Sequence, residues 1–129
     1  MVVTIHQPEH FPYGGFFQKM AASDLFIILD NVNYRKNYYQ NRNKLLNNNN
    51  VDEWFTIQVE KGATSKHIKD VNVVDGNWKS KIIKKLQQNL GVDLEHIYNH
   101  NKLIDINMDS IEYCRRKLNI NTPIVYASD

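Results

Sequence analysis

The N-terminal part of the chain shows two short apolar runs separated by a segment with helical spacing. Residues 2–6 and 25–29 lack the alternation of polar and apolar side chains, which predicts strands buried on both faces. Between them, Phe16, Phe17 and Met20 share one face of a predicted helix over residues 16–22. Strand, helix and strand in this order predict a Rossmann-like βαβ start with a parallel pair of strands.

The remaining pattern predicts three more strands and further helices. Residues 54–59 alternate polar and apolar side chains, as in a half-exposed strand, and residues 68–74 form a weaker strand pattern. Residues 123–127 are predicted to form the last strand, after short helices near 93–100 and 108–118. The inward side of the latter helix is predicted to carry Met108, Ile111, Cys114 and Leu118.

The clearest helical pattern begins at Trp78. Ile82, Leu86 and Leu90 follow at intervals of four residues, and Gly91 comes directly after them. A periodic apolar face that ends at a glycine is the usual pattern of an amphipathic helix with a left-handed C-terminal residue.

Together these patterns predict the α/β fold class, with a mixed, mostly parallel sheet flanked by helices. The length of 129 residues suits one domain spanning 1–129, and no repeat or linker divides it. A net charge of +2 gives no support for a polyanionic partner, and the single cysteine fits a reducing compartment. The longest apolar run, residues 25–29, is too short to cross a bilayer, and no signal peptide precedes it. The sequence therefore predicts a cytoplasmic protein with no membrane span.

Polar residues follow both predicted N-terminal strands directly. His6 and Gln7 end the first strand, and Asp30 ends the second. Ligands of open α/β sheets bind beyond the carboxyl ends of the strands, where neighbouring strands would bring His6 and Asp30 together. A carboxylate fixes the tautomer of an adjacent imidazole and stabilises its cation, which suits a general base. We predict His6 and Asp30 as a catalytic pair, and the alternative is a histidine that only supports the structure.

The segment after Asp30 combines cations, tyrosines and side-chain amides. Arginine and lysine bind phosphate or carboxylate, whereas amides suit sugar hydroxyls and tyrosine rings can stack on a sugar or base. Alternatives are an exposed basic loop, a loop held by its own asparagines, or a nucleic-acid patch, which the nearly balanced charge elsewhere disfavours. The predicted substrate-binding residues are Gln7, Lys36, Tyr39, Gln40, Asn41, Arg42 and Asn43.

Other polar residues give weaker indications. His96 and His100 are four residues apart, but no third ligand has suitable spacing, so we predict no metal site. Cys114 falls among predicted core positions and is interpreted as an inert buried thiol. The sequence contains neither a phosphate-binding loop nor a dinucleotide-binding pattern, so no cofactor is predicted.

The two polar segments also carry a resemblance to a known family. The matching positions include Ile5-His6-Gln7-Pro8, Phe11-Pro12-Tyr13, Gly15-Phe16-Phe17, Leu29-Asp30, Gln40-Asn41-Arg42-Asn43, Trp54, Ile68-Lys69-Asp70-Val71, Trp78 and the final residues 124–129. In these positions the chain resembles the WbqC-like family, specifically over its first forty-five residues and loosely after residue 85. The resemblance implies further residues beyond Asp129, so we expect a short member or a chain that lacks a C-terminal half.

The resemblance also implies a role in surface-polysaccharide (O-antigen) biosynthesis. The expected activity is transfer of an acyl or aminoacyl group, such as glycyl, to the amine of a nucleotide-linked amino sugar. The expected partner is that nucleotide-linked sugar or another phosphorylated small molecule, and a homo-oligomer is left open. The alternatives are a non-catalytic accessory module that binds a sugar nucleotide or carbohydrate, and then a nucleic-acid-binding module.

Overall fold

The computed structural model describes residues 1–129 and contains two small sheets and three α-helices. Three short 3-10 helices lie at Ala63–Ser65, Ile68–Asp70 and Glu95–Tyr98. The strands and α-helices are, in chain order, β1 (Val3–His6), α1 (Gly14–Ala21), β2 (Leu25–Ile28), β3 (Arg42–Leu46), β4 (Asp52–Thr56), α2 (Trp78–Leu90), α3 (Leu103–Lys117) and β5 (Ile124–Tyr126).

The main sheet has the order β1-β2-β5, with β2 in the centre and both pairings parallel. The helix α1 connects β1 to β2, so the predicted parallel pair is present. The strands β3 and β4 form a separate antiparallel hairpin, in which Lys44 lies opposite Trp54. The predicted mixed, mostly parallel α/β fold is therefore confirmed, whereas the Rossmann-like character of its start stays a prediction.

The prediction that β1 is buried on both faces is wrong. The side chains of Val3 and Ile5 are 45% and 57% exposed, and Val125 of β5 is 41% exposed. Helices α1 and α3 pack against the face of the sheet that carries Phe26 and Ile28. The opposite face carries the exposed valines and isoleucine, so apolar side chains without alternation do not imply two buried faces.

The strand predicted at residues 68–74 is also wrong. Residues 68–70 form a 3-10 helix, and only single bridges follow at Asn72 and Val73. The backbone N–H groups of Ile68 and Lys69 donate to the carbonyls of Val32 and Asp30, at 2.8 and 3.0 Å. These loop hydrogen bonds replace a strand ladder.

A second cluster of buried apolar side chains, separate from the one between the main sheet, α1 and α3, surrounds α2. The helix α2 itself begins at Trp78 and ends before Gly91, as predicted. Trp78, Ile82 and Leu86 are buried, and Gly91 has the left-handed backbone expected at the helix end. Leu90, in contrast, is 56% exposed. The β3–β4 hairpin contributes Leu45 and Phe55 to this core, together with residues of the 95–98 segment. No helix of the structure is both long and apolar enough to span a membrane.

Candidate functional site

The end of β1 presents His6 in a defined orientation. Its Nδ1 donates a hydrogen bond of 2.8 Å to the backbone carbonyl of Gln7, and its ring meets Phe16 edge-on at 4.8 Å. Because a carbonyl oxygen can only accept, Nδ1 carries the proton of the neutral imidazole, and Nε2 then keeps its lone pair. His6 therefore has the tautomer that a general base requires, although a backbone carbonyl orients it.

Asp30 lies at the neighbouring strand end but does not orient His6. The carboxylate is only 3% exposed, and it accepts hydrogen bonds from the backbone N–H and the hydroxyl of Ser128 at 3.0 and 2.6 Å. No hydrogen bond or ion pair joins His6 to Asp30. The expected contact between them is absent because Asp30 holds the segment that follows β5.

A second carboxyl group, that of Glu9, lies close enough to His6 for their charges to interact, although no hydrogen bond joins them, and sequence reasoning missed it. Burial raises the pKa of Glu9, and this effect outweighs the lowering by the nearby side chains of His6 and Lys19. The sequence signal was present, since Glu9 lies three residues after His6 in the segment that leaves β1. A carboxyl group with a raised pKa beside an imidazole is a common feature of catalytic sites.

Glu9 lines a cleft of about 520 Å³ between the segment after β1 and the start of the hairpin, and we call this the polar cleft. Tyr13 and Tyr39 on its walls are 55% and 44% exposed. The cleft lies beyond the carboxyl end of β1, where α/β proteins bind ligands. Its lining residues are Glu9, Pro12, Tyr13, Tyr39, Asn43 and Lys44.

Three predicted binding residues use their amides inside the protein. Gln40 is 2% exposed and donates to Gln7 Oε1 at 2.8 Å, while its own Oε1 accepts from the Arg35 N–H. Asn41 donates to the carbonyl of Ile57 at 2.9 Å. Asn43 donates to the carbonyls of His10 and Phe11 at 3.0 and 2.7 Å. Direct contact between these N–H groups and sugar hydroxyls would require breaking internal hydrogen bonds, so they position the walls of the polar cleft.

Arg42 and Tyr39 meet on the side chain of Trp54. The guanidinium carbon of Arg42 lies 4.3 Å from the centroid of the Trp54 ring, and Tyr39 stacks on Trp54 at 6.0 Å. Arg42 also donates to the carbonyl of Asn37 at 2.8 Å. Lys36 is exposed and makes no hydrogen bond or ion pair. Tyr39 and Asn43 therefore line the polar cleft. Arg42 does not line it but packs on Trp54, the residue on which Tyr39 stacks, and Lys36 lies outside this group of residues.

A buried histidine connects the two walls of the polar cleft. His10 is fully buried, and its Nε2 shares a hydrogen bond of 2.8 Å with the Tyr98 hydroxyl. Burial lowers the pKa of His10 to about 3, although the Asn107 side chain opposes this effect. The His10 backbone donates to the Tyr39 carbonyl and accepts from the Asn43 side chain, both at 3.0 Å. No local sequence signal could identify His10, because the side-chain partner of its ring, Tyr98, lies 88 residues away.

The structure places no group of three or more His, Cys, Asp and Glu side chains where they could hold a metal ion. His100 hydrogen-bonds to Asp109 at 2.6 Å. Burial raises the pKa of the Cys114 thiol, which keeps it protonated.

The fold and the cleft define a mixed α/β protein with a polar cleft at the end of a parallel strand. The sequence profile of the WbqC-like protein family matches residues 7–129, and the chain belongs to this family. An uncharacterized protein of Mycobacterium tuberculosis is 31% identical over 77 residues, which cover 59% of this chain and 33% of that relative. The matched region is therefore about a third of the relative's length. No solved structure matches the chain.

Proposed function

We propose that the polar cleft binds a nucleotide-linked amino sugar and that the chain acts in acyl or aminoacyl transfer to the amine of that sugar. The observation that carries the proposal is the position of Glu9, a half-buried carboxyl group that lines the cleft and lies near His6. We also propose a role in surface-polysaccharide biosynthesis, which the resemblance to the WbqC-like family supports.

Recognition would depend on the aromatic and cationic walls of the cleft. The exposed rings of Tyr13 and Tyr39 can stack on a sugar or a base. Lys44 supplies a cation for a phosphate group, although its ammonium also lies 3.5 Å from Asp52. Arg42 supports Tyr39 through Trp54.

The chemistry requires a base. The amine nitrogen of the sugar attacks the carbonyl carbon of an activated acyl donor such as a thioester, and the bond to the leaving group breaks as the new C–N bond forms. Because His6 does not itself line the cleft, the proton of the nitrogen passes through one water molecule to His6 Nε2, and the Glu9 carboxylate stabilises the resulting imidazolium. Glu9 thereby takes the role that we predicted for Asp30.

A specific observation also favours a non-catalytic sugar-nucleotide-binding module as the second candidate. The Asp30 carboxylate contacts Ser128, so the orienting carboxylate expected of a catalytic pair is used elsewhere. Such a module would require Tyr39 and Lys44 but not His6.

Calorimetric titration with UDP-glucosamine, UDP and a single-stranded oligonucleotide tests the binding step. Tyr39→Ala should weaken binding of UDP-glucosamine about five- to 150-fold, since a stacking contact to a base is worth roughly 1–3 kcal/mol. Tyr38→Ala is the matched control, because Tyr38 is similarly exposed but does not line the cleft. Equal loss in both variants, or binding of the oligonucleotide alone, would refute the proposal.

A further inference from the structure

A second cleft of about 330 Å³ lies beside the polar cleft, and we call it the apolar cleft. Leu45 and Phe55 of the hairpin form one wall, and the C-terminal parts of α2 and α3 contribute to the others. Lys44 is its only charged lining residue. The lining residues are Phe11, Asn43, Lys44, Leu45, Phe55, Leu86, Leu90, Val92, Leu94, Tyr113 and Cys114.

The two clefts share part of their walls. Asn43 and Lys44 line both of them, so a ligand at this boundary could contact the polar and the apolar cleft at once. The apolar cleft thus presents a hydrocarbon surface with a single cation at the end that adjoins the polar cleft. This distribution of charge complements a ligand with an apolar chain and an anionic or strongly polar end.

Phe11, which forms part of the wall of the apolar cleft, has a backbone conformation that residues other than glycine rarely adopt. Its φ is +45°, in the left-handed region. The Phe11 N–H donates to the hydroxyl of Ser110 at 3.0 Å, and its carbonyl accepts from Asn43 at 2.7 Å. Strained residues held by several hydrogen bonds are concentrated at ligand sites. The Phe11 ring lines the apolar cleft, where its centroid lies 6.4 Å from that of Tyr113.

We propose that the apolar cleft binds the hydrocarbon chain of an acyl ligand and that the polar end of this ligand lies beside Lys44. The inference rests on the proposed function in one respect, since it identifies the ligand as the acyl donor. It makes the transferred group an apolar acyl chain in preference to glycyl. The carbonyl carbon of such a donor would lie at the boundary of the two clefts, within reach of an amine bound in the polar cleft.

The single cysteine provides a direct measurement, because Cys114 lines the apolar cleft. Because burial raises the pKa of the Cys114 thiol, its alkylation by iodoacetamide is run at alkaline pH and followed by mass spectrometry with and without decanoate, below the concentration at which decanoate forms micelles. At ten times its dissociation constant, decanoate should slow alkylation about tenfold. Butyrate has the same carboxylate but a short chain, and it should give little protection at the same concentration.

A pair of leucine variants tests the location. Leu90→Glu places a negative charge at the rim of the apolar cleft, which disfavours both the hydrocarbon chain and the carboxylate, and it should weaken decanoate binding about tenfold or more. Leu118→Glu is the matched control, since both leucines are 56% exposed and only Leu90 lines the cleft. Lys44→Gln should weaken decanoate a few-fold by removing the cation.

Absence of protection by decanoate, equal protection by butyrate, or equal loss in both leucine variants would overturn the inference. None of these measurements involves a sugar nucleotide. A failure here is therefore distinguishable from a failure of the Tyr39→Ala test, which involves no acyl ligand.

Discussion

The Arg42 guanidinium lies 4.3 Å from the centroid of the Trp54 ring, so an arginine predicted to bind substrate is held by an aromatic side chain of the next strand. Its hydrogen bond to the Asn37 carbonyl fixes the same group from another side. Arg42 therefore links the segment before β3 to the hairpin, and substituting it should affect stability as well as binding.

Arg42→Lys should lower the free energy of unfolding by about 1 kcal/mol. Lysine keeps the charge but loses the planar contact with Trp54 and the geometry of the bond to Asn37. Urea denaturation measures the change. Arg35→Lys is a suitable control, because Arg35 packs at 4.5 Å on the exposed ring of Tyr38, and its substitution should be nearly neutral. Equal effects would mean that the Trp54 contact contributes nothing specific.

Trp78→Ala should destabilise the protein by about 3–5 kcal/mol, as expected for truncation of a buried aromatic side chain. Trp78 is 3% exposed, and its indole donates to the Val74 carbonyl at 2.7 Å. Trp54→Ala, at a position that is 41% exposed, should cost far less in the same denaturation experiment. A change within about 0.5 kcal/mol for Trp78→Ala would contradict the observed packing of α2.

His6→Gln separates the enzyme from the binding module. If His6 accepts the proton, affinity for UDP-glucosamine should stay within a few-fold while turnover falls about a hundredfold or more. Steady-state kinetics with an identified acyl donor measure the two effects separately, because the loss of the base lowers kcat and a loss of binding raises KM. Asp30→Asn is the control for a general disturbance of the strand ends, and its pH–rate profile should overlay that of the wild type. A fully active His6→Gln protein would leave only the binding module.

Protonation of Glu9 should contribute to the fall in turnover on the acid side of the pH–rate profile. Burial raises its pKa, so the carboxylate forms only as the pH rises through that raised value. Because the carboxylate is the form that stabilises the imidazolium of His6, turnover should fall as the pH drops through the same range. Glu9→Gln should lower turnover at neutral pH and leave only the decline that protonation of the general base itself causes, so the shape of the profile should change. A Glu9→Gln profile with the same shape as that of the wild type would show that Glu9 does not contribute to the decline.

His10 should make the fold sensitive to acid. Its pKa is lowered to about 3 from 6.5, so between these values the unfolded chain binds a proton that the folded chain does not. The stabilisation is complete above the ordinary histidine pKa and is lost as the pH falls towards 3, with a slope approaching about 1.4 kcal/mol per pH unit. Denaturation at a series of pH values should show a shallower slope for His10→Gln. The exposed His96→Gln should retain the wild-type slope.

The sequence predicted correctly those helices and strands that are determined by their own pattern of apolar side chains. Trp78, Ile82 and Leu86 define one face of α2 without reference to the rest of the chain, and the structure buries all three. The strand β3 could not be predicted in this way, because Arg42, Asn43 and Lys44 show no apolar alternation. Pairing with β4 makes this segment a strand, and that pairing depends on residues about ten positions later.

For the candidate site, too, the sequence predicted what depends on neighbouring residues and missed what depends on distant ones. Its location after β1 followed from the local pattern of polar residues, and Tyr39 and Asn43 do line the polar cleft. The partners of its polar groups were not accessible from the sequence, since Asp30 bonds to Ser128 and His10 to Tyr98. Each of these contacts joins residues almost a hundred positions apart, and only the folded chain determines them.

The order of the strands in the main sheet has a consequence for how the protein folds. The β1–α1–β2 unit needs only neighbouring residues, and so does the β3–β4 hairpin, whereas β5 reaches the other edge of β2 after the whole intervening chain. Closing so long a loop costs entropy before any contact compensates for it, which slows folding. During synthesis, one edge of β2 therefore stays unpaired until β5 has left the ribosome. In this interval the exposed edge can pair with a wrong strand.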